Sequence, residues 1–327
     1  MNKINKISLL MAIALIFTCG CGKLGMKTLS YTGTALDTVI SIQIFDSNDE
    51  ELIEHCIDIC NTYESKLSRT IEASEICQIN NANGAPVEVS PETIRVIEKG
   101  IYYGDLSSGA FDITIGSVTS LWDFKAENPV PPSAEVIAEA VNHVNYKTIV
   151  VQNNTGRLMD PYAKLDLGAI AKGFIADEIK KYLESQGVEH ALINLGGNVL
   201  AIGNKLDGSD YNIGIQTPFD TETGPIASVK INDQSIVTSG TYQRYYKYNN
   251  NLYHHIIDPY TGNPCNNGLN SVTIITDSSL TADALSTTCF VLGMEKGMHL
   301  INQLDNVDAI FINTDNEVFY SNNFMHK

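Results

Sequence analysis

Four stretches carry residue types that could act on an anionic substrate. The first runs Lys164-Leu165-Asp166-Leu167-Gly168-Ala169-Ile170-Ala171-Lys172-Gly173. A strand ends at Asp166 and small residues lead into a helix with Lys172 in its first turn. A helix N-terminus disfavours a lysine electrostatically, so its presence there suggests a bound anion. Small residues also let a ligand approach the backbone closely. The same residues suit a plain strand-to-helix turn with an exposed lysine, and GxxxxGK[ST] is absent. The second stretch is Thr281-Ala282-Asp283-Ala284-Leu285-Ser286-Thr287-Thr288. Asp283 and Thr287 are four apart and share a helix face. A carboxylate with a hydroxyl is hard oxygen chemistry suited to Mg²⁺. The competing reading is capping, with Thr281 as N-cap and Asp283 favoured by the helix dipole.

The third stretch, His254-His255-Ile256-Ile257-Asp258-Pro259-Tyr260-Thr261-Gly262-Asn263-Pro264, is a strand running into a Pro/Gly-rich turn. His255 could act as a general base, bind a ligand or simply sit on the surface. Adjacent histidines on a strand point to opposite faces and make poor joint metal ligands. The fourth is Ser108-Gly109-Ala110-Phe111-Asp112-Ile113-Thr114-Ile115-Gly116, followed by Leu121-Trp122-Asp123-Phe124. Trp122 could stack on a planar ligand, although a core role is the commoner one for tryptophan. Asn194-Leu195-Gly196-Gly197-Asn198 lacks the GxGxxG fingerprint, so a Rossmann-type dinucleotide fold is unsupported.

These stretches need elements to hold them. β-Branched residues predict a strand over 38–45, and apolar spacing predicts a helix over 48–66, capped by Ser47 or Asn48. Further helices are expected at 91–107, 133–142, 170–186 and, in two pieces broken near Gly293, 281–303. Strands are expected at 147–152, 157–167, 190–195, 199–202, 211–216, 226–231, 235–238, 270–276, 308–313 and 317–320. Residues 242–248 and 251–257 read as a hairpin around Asn249-Asn250. Strands and helices mix without regular βαβ alternation, which argues for α+β.

The chain has 327 residues, 43% hydrophobic and 18% charged, enough for a real core and incompatible with a disordered chain. Lys and Arg total 21 against 38 Asp and Glu, a net charge of −17. That excludes a long cationic track for nucleic acid, so an anionic ligand needs a local solution, such as a metal ion or a helix N-terminus. The seven cysteines do not form a disulfide scaffold. Cys56 and Cys60, four apart on one helix face, read as small buried apolar residues. Residues 1–21 read as a signal segment: basic MNKINK, the apolar run ISLLMAIALIF, then Thr18-Cys19-Gly20-Cys21. The run is short for a membrane span. The cysteines suggest a bacterial lipoprotein signal, with Cys21 preferred over Cys19 as the acylated (palmitate-bearing) residue. Residues 22–33 read as a linker and 34–322 as one domain.

In chain order, SGAFDITIG with LWDF, LDLGAIAKGFIAD, LINLGGNVLAIG, VTSGTYQRYY with HHIIDPYTGNP, and TADALSTTCFVLG closely resemble the ApbE family of FAD:protein FMN transferases over about residues 34–320. The resemblance implies a T-fold-like α+β structure, with mixed antiparallel sheets and packed helices. It implies transfer of FMN from FAD onto a threonine hydroxyl of a target protein, forming a phosphoester and releasing AMP. It implies Mg²⁺, with Mn²⁺ the alternative, held by Asp283 and Thr287 through side chains and by the Ala169 carbonyl. Lys172 would contact the pyrophosphate. Asp166 and the Ala110-Phe111-Asp112 loop would bind the flavin nucleotide, Ile257 would line the pocket, and His255 would activate the incoming threonine. Targets would be flavoprotein subunits of membrane redox complexes. The location would be the cell envelope, lipid-anchored on the extracytoplasmic side. The chain departs from the family at Leu36-Asp37-Thr38, where relatives often read Met-Gly-Thr, and at Thr70, often aromatic. Relatives often carry Gly-Gly where Gly168-Ala169 stands, a mild change for a backbone ligand. Two other functions stay open: an FAD pyrophosphatase giving FMN and AMP, and a non-enzymatic FAD-binding lipoprotein.

Overall fold

The computed structural model describes residues 28–220 and 222–324. Cys19, Cys21 and the signal segment lie outside the described residues.

The chain opens with a hairpin of β1 (Leu29–Ala35) and β2 (Thr38–Ile44), followed by α1 (Glu51–Leu67) and α2 (Glu75–Asn81). Then come β3 (Val87–Glu88), α3 (Pro91–Leu106), α4 (Gly116–Thr119), α5 (Ala134–Val141) and the short strands β4 (Ile149–Gln152) and β5 (Thr155–Leu158). Helix α6 (Ala171–Ser185) leads to β6 (Ala191–Leu195), β7 (Asn198–Ile202), β8 (Tyr211–Gln216), β9 (Pro225–Ile231) and β10 (Ser235–Gly240). The last third holds β11 (Tyr245–Tyr248), β12 (Asn251–His254), β13 (Leu269–Thr276), α7 (Ser279–Ile301), β14 (Asp308–Asn313) and β15 (Val318–Tyr320). Eight strands form one sheet in the order β1-β2-β6-β7-β10-β13-β14-β15, each pair antiparallel. The α+β expectation holds.

The two-residue period of a strand explains how this sheet is buried on both faces. Ile193, Val237, Ile274 and Phe311 face the main core, with Ile175, Ile179, Leu285 and Phe290 of α6 and α7. Their neighbours Leu192, Ile236, Ile275 and Ile310 face a second core under β8 and β9. A third cluster joins Val118, Trp122, Ile137, Tyr246 and Ile257. Trp122 is therefore a core residue, its Nε1–H donating to the Gly262 carbonyl at 3.1 Å.

Four expectations change. Residues 29–33 belong to β1 rather than to a linker, and Leu29 is buried. Ser, Thr and Gly make this stretch look like a tether, but it pairs along its whole length with β2. Residues 159–167 leave the expected strand after Leu158, because Asp160 and Pro161 turn the chain. Helix α1 starts after Glu50 without a side-chain cap, and α7 is capped by Ser278 instead of Thr281. The break at Gly293 is present, with φ 77° and ψ 177°.

Candidate active site

Asp283 meets the start of α6. Its Oδ2 accepts the Gly173 N–H at 2.9 Å, and Lys172 Nζ lies 3.8 Å from its Oδ1. The two stretches, 110 residues apart in sequence, therefore share one place. Only glycine allows it: a Cβ on residue 173 would stand 2.3 Å from the Ser279 carbonyl oxygen and 2.7 Å from Leu280 Cα. The Gly173 N–H would ordinarily bond the carbonyl four residues back. With that donor diverted, the Ala169 carbonyl accepts no hydrogen bond from any described residue. Asp283 is buried, while Lys172, Ala169 and Thr287 are half-buried. Thr287 Oγ1 shares a hydrogen bond with Ser239 Oγ at 3.1 Å. Lys172 Nζ also donates to the Gly168 carbonyl at 3.2 Å.

No described group of three or more His, Cys, Asp or Glu side chains could hold a metal ion. A sparse oxygen set is nevertheless what Mg²⁺ takes: one or two carboxylates completed by substrate phosphates and water. Asp283 Oδ1 carries no hydrogen bond from a described residue, the Ala169 carbonyl is unpaired, and the Thr287 hydroxyl is partly open. These residues fit a hard divalent cation and would suit a thiolate-seeking ion poorly.

The turn before α6 is fixed from three sides. Asp166 Oδ1 accepts the Gly168 N–H at 2.9 Å, and Oδ2 takes Thr119 Oγ1–H at 2.7 Å and Arg69 Nε at 3.0 Å. Asn80 of α2 brackets Leu165, accepting its N–H at 2.7 Å and donating to its carbonyl at 3.0 Å. The loop 110–116 is bound alongside by the Asp166 N–H to Ile113 carbonyl bond at 2.8 Å and a parallel bridge between Ile115 and Lys164. Asp166 therefore shapes the turn, with both oxygens engaged.

The side chains of Ala110, Phe111 and Asp112 point inward. Phe111 is 2% exposed within the main core. Asp112 accepts from the Thr114 N–H and hydroxyl at 2.8 and 2.6 Å and from the Tyr146 N–H at 2.9 Å. Burial raises its carboxyl above the usual range against the pull of those bonds. These residues are buried as a whole, backbone included, so the loop supports the neighbouring turn from beneath. Ile257 is likewise turned into the third core cluster, so it forms the wall of that core rather than an open lining.

The two histidines split as their strand positions require. His254 is buried, its Nε2 bonded to the Cys265 carbonyl at 2.8 Å. His255 is half-buried, with Nδ1 3.3 Å from the Arg244 carbonyl. Because a carbonyl only accepts, Nδ1 carries the proton and Nε2 is left as an acceptor. Desolvation, then the charges of Arg244 and His254, and more weakly that of Lys172, lower His255 to about 3. Its ring is only half-buried by surface area, so a ligand can still reach it. The turn after His255 is tied back by Tyr260 Oη–H, which donates to the Ser108 carbonyl at 2.7 Å. Hydrogen bonds thus run from the His255 turn through the 108–116 loop and the 164–168 turn to α6 and α7.

Sequence reasoning missed Arg69, Thr119, Asn80, Gly173 and Arg244. Arg244 pairs with Asp37 at 3.2 Å, and Lys125 binds the same carboxylate at 2.6 Å. Leu36 and Asp37, both with positive φ, make the tight turn between β1 and β2. Thr70 is exposed and, among the described residues, its side chain and N–H bond only to Ser68. Among the surface depressions of the described residues, one of about 640 Å³ lies over β8 and β9 between Lys205 and Lys230, away from this chemistry. Another, about 230 Å³ and lined by Trp122, Tyr253, Thr261 and Asn263, adjoins the turn that follows His255.

Comparisons with known proteins converge. The sequence profile of the ApbE family matches residues 36–311. The chain is 36% identical over 298 residues to the FAD:protein FMN transferase of Klebsiella pneumoniae (strain 342), covering 90% of this chain and 92% of that one. It is 32% identical over 324 residues to that of Treponema pallidum (strain Nichols), covering 92% and 90%. Among solved structures it resembles the ApbE protein of Thermotoga maritima with a TM-score of 0.85 at 31% identity, covering 92% of this chain and 99% of that one. It resembles the flavin transferase ApbE of Vibrio cholerae with a TM-score of 0.80 at 28% identity and the same coverage.

Proposed function

The chain belongs to the ApbE family, and from that premise we propose that it is an FAD:protein FMN transferase, dependent on Mg²⁺ or Mn²⁺, with a threonine hydroxyl as acceptor. The observation that carries the reading is the contact between Asp283 and the Gly173 N–H, which gathers Lys172, Ala169 and Thr287 around one buried carboxylate.

In this reading the acceptor oxygen attacks the flavin-side phosphorus of FAD, and the bond from that phosphorus to the bridging oxygen breaks. AMP leaves with the bridging oxygen, and FMN remains joined to the threonine through a phosphoester. Lys172 binds the pyrophosphate as a point charge from the first turn of α6. A divalent cation held by Asp283, Thr287 and the Ala169 carbonyl would neutralise phosphate charge and stabilise the leaving group. His255 takes the acceptor's proton at Nε2, the nitrogen its Arg244 bond leaves free. A base held near 3 is neutral but weak. The negative charge of a bound pyrophosphate would raise it toward a working value. The 164–168 turn, backed by the buried 110–116 loop, would present its backbone around the exposed Gly168 to the flavin nucleotide.

We place the protein in the cell envelope, anchored by an acyl chain on Cys21, on the support of residues 1–21 alone. No helix among the described residues is long and apolar enough to cross a membrane. The acceptors would be flavoprotein subunits of membrane redox complexes. The test is to incubate the chain with FAD, Mg²⁺ and a candidate acceptor domain and weigh the acceptor by mass spectrometry. A mass gain equal to FMN supports transfer. Free FMN and AMP with an unmodified acceptor would make the chain a pyrophosphatase, and intact FAD despite binding would make it a carrier.

A further inference from the structure

Helices α6 and α7 hold each other's beginnings. Asp283 of α7 accepts the Gly173 N–H in the first turn of α6. One turn along α6, Asp177 does the same in return. Its Oδ1 accepts the Ser279 N–H at 2.7 Å, and its Oδ2 accepts the Leu280 N–H at 3.0 Å and the Ser278 hydroxyl at 2.9 Å. Gly173 and Asp177 are four apart on one helix, and Ser279 and Asp283 are four apart on the other. Each pair spans one turn, about 6 Å along the axis.

α7 is also tied to the sheet, through the Ser279 hydroxyl to Asn198 and Ser235 and through Ser239 to Ser286 and Thr287. The two contacts with α6, a turn apart, set its rotation and its slide against that helix. Thr287 lies a further turn beyond Asp283, on the side away from Asp177. Loss of the Asp177 contact would leave the start of α7 held on its sheet side alone, and so let Asp283 and Thr287 shift relative to Ala169 and Lys172. Asp177 is half-buried, and its carboxyl sits above the usual range through burial, in spite of the three bonds it accepts.

We infer that Asp177 is a positioning residue for the cation site: by gripping the first turn of α7 it aims Asp283 and Thr287 at the start of α6. This rests on the cation reading given above. The test is Mn²⁺ binding to the full chain, read by electron paramagnetic resonance of free Mn²⁺, with thermal melting in parallel. Asp177→Asn replaces one acceptor oxygen by an amide that cannot accept. It should weaken Mn²⁺ binding about tenfold in protein that is still folded at the assay temperature, as changes behind a ligand usually do. Ser278→Ala removes one of the three contacts together with the N-cap bond to the Thr281 N–H, and should weaken binding by a smaller factor, about threefold, beside the loss of stability that a missing cap brings. A merely structural role would lower the melting temperature and leave Mn²⁺ affinity within about twofold of the parent, and that result overturns the inference. If Asp177→Asn does not fold, Ser278→Ala decides by the same criterion. Asp283→Ala separates the two levels. Unchanged Mn²⁺ binding in that variant would sink the cation site itself. Loss there with normal binding in Asp177→Asn would sink only the role of Asp177.

Discussion

Replacing Gly173 by alanine tests the geometry most sharply, because it adds one carbon and no charge. The new Cβ would stand 2.3 Å from the Ser279 oxygen and 2.7 Å from Leu280 Cα, where ordinary contact begins at 3.4 Å. Both obstacles are backbone atoms, so no side chain can swing away. The start of α6 must part from α7 by roughly 1 Å, since a packed interior leaves no slack. Overpacking of this kind costs about 1–3 kcal/mol. Alanine returns about 1 kcal/mol over glycine in a helix interior. The net loss is about 0–2 kcal/mol, a fall of at most several degrees in melting temperature for a chain of this size. The displacement, however, falls between Asp283 on one helix and Lys172 and Ala169 on the other. A misplacement of about 1 Å can cost on the order of a hundredfold in rate. The expected signature is a large loss of FMN transfer, measured by acceptor mass, with a small loss of stability. Gly214→Ala is the control: its Cβ would stand 3.1 Å from Pro225 Cβ in the β8–β9 pair, away from this site, so any cost falls on stability and the rate should be spared. A Gly173→Ala rate within about threefold of the parent would refute the reasoning.

Asp283→Ala should abolish Mg²⁺-dependent turnover and cost about 1–3 kcal/mol through the buried Gly173 N–H it leaves unpaired; full activity across a Mg²⁺ titration would remove Asp283 from the site. His255, lowered from 6.5 to about 3, stays neutral in the folded chain while the unfolded chain takes up a proton below 6.5. The unfolded state then binds more protons, so His255 contributes stability above 6.5 that is lost as pH falls from there toward 3. His255→Gln should flatten that part of the stability curve in denaturant titrations. A His255 ring resonance that titrates near its ordinary value in the folded protein would contradict this.

The sheet and the long helices were legible because their burial is periodic. Ile40, Ile42 and Ile44 alternate in β2, and Cys56 and Cys60 fall on the buried side of α1, with burial pushing both thiols up to about 12. Asp283 and Thr287 were legible as a pair because a helix turns one spacing into one face. The partners that make them a site were not. Gly173 meets Asp283 across 110 residues, and Asn80 meets Leu165 across 85, through contacts that no local spacing encodes. Asp112 and Asp166 show a further gap. A sequence says that a carboxylate is present, but which donors occupy it depends on how loops stack. Asp112 spends its oxygens on Thr114 and Tyr146, and Asp166 on Gly168, Thr119 and Arg69. The strand β1 escaped because its polar outer face resembles a tether until β2 is laid beside it.

The charge of the chain poses the remaining physical question, since a protein at −17 repels a pyrophosphate. Screening confines that repulsion: at physiological salt a charge is felt over about 8 Å, so the site answers mainly to its own neighbours. Those neighbours are cations held in place by carboxylates. Arg69 is held by Asp166, Arg244 and Lys125 by Asp37, and Lys172 stands beside Asp283. The Arg69 and Lys172 pairs are nearly neutral as they stand, while Arg244 and Lys125 share one carboxylate and keep a net positive charge; each contact holds a long side chain in place. Asp283 Oδ1 cannot serve both the Lys172 ammonium and a divalent cation. Whichever of the two it does not hold remains available to a phosphate, so the local charge turns positive as the site fills, without any broad cationic surface. On the proposed cation reading, Asp283 would exchange the lysine for the cation as the site fills. That is a reason for burying it beside a lysine that a helix N-terminus would otherwise disfavour.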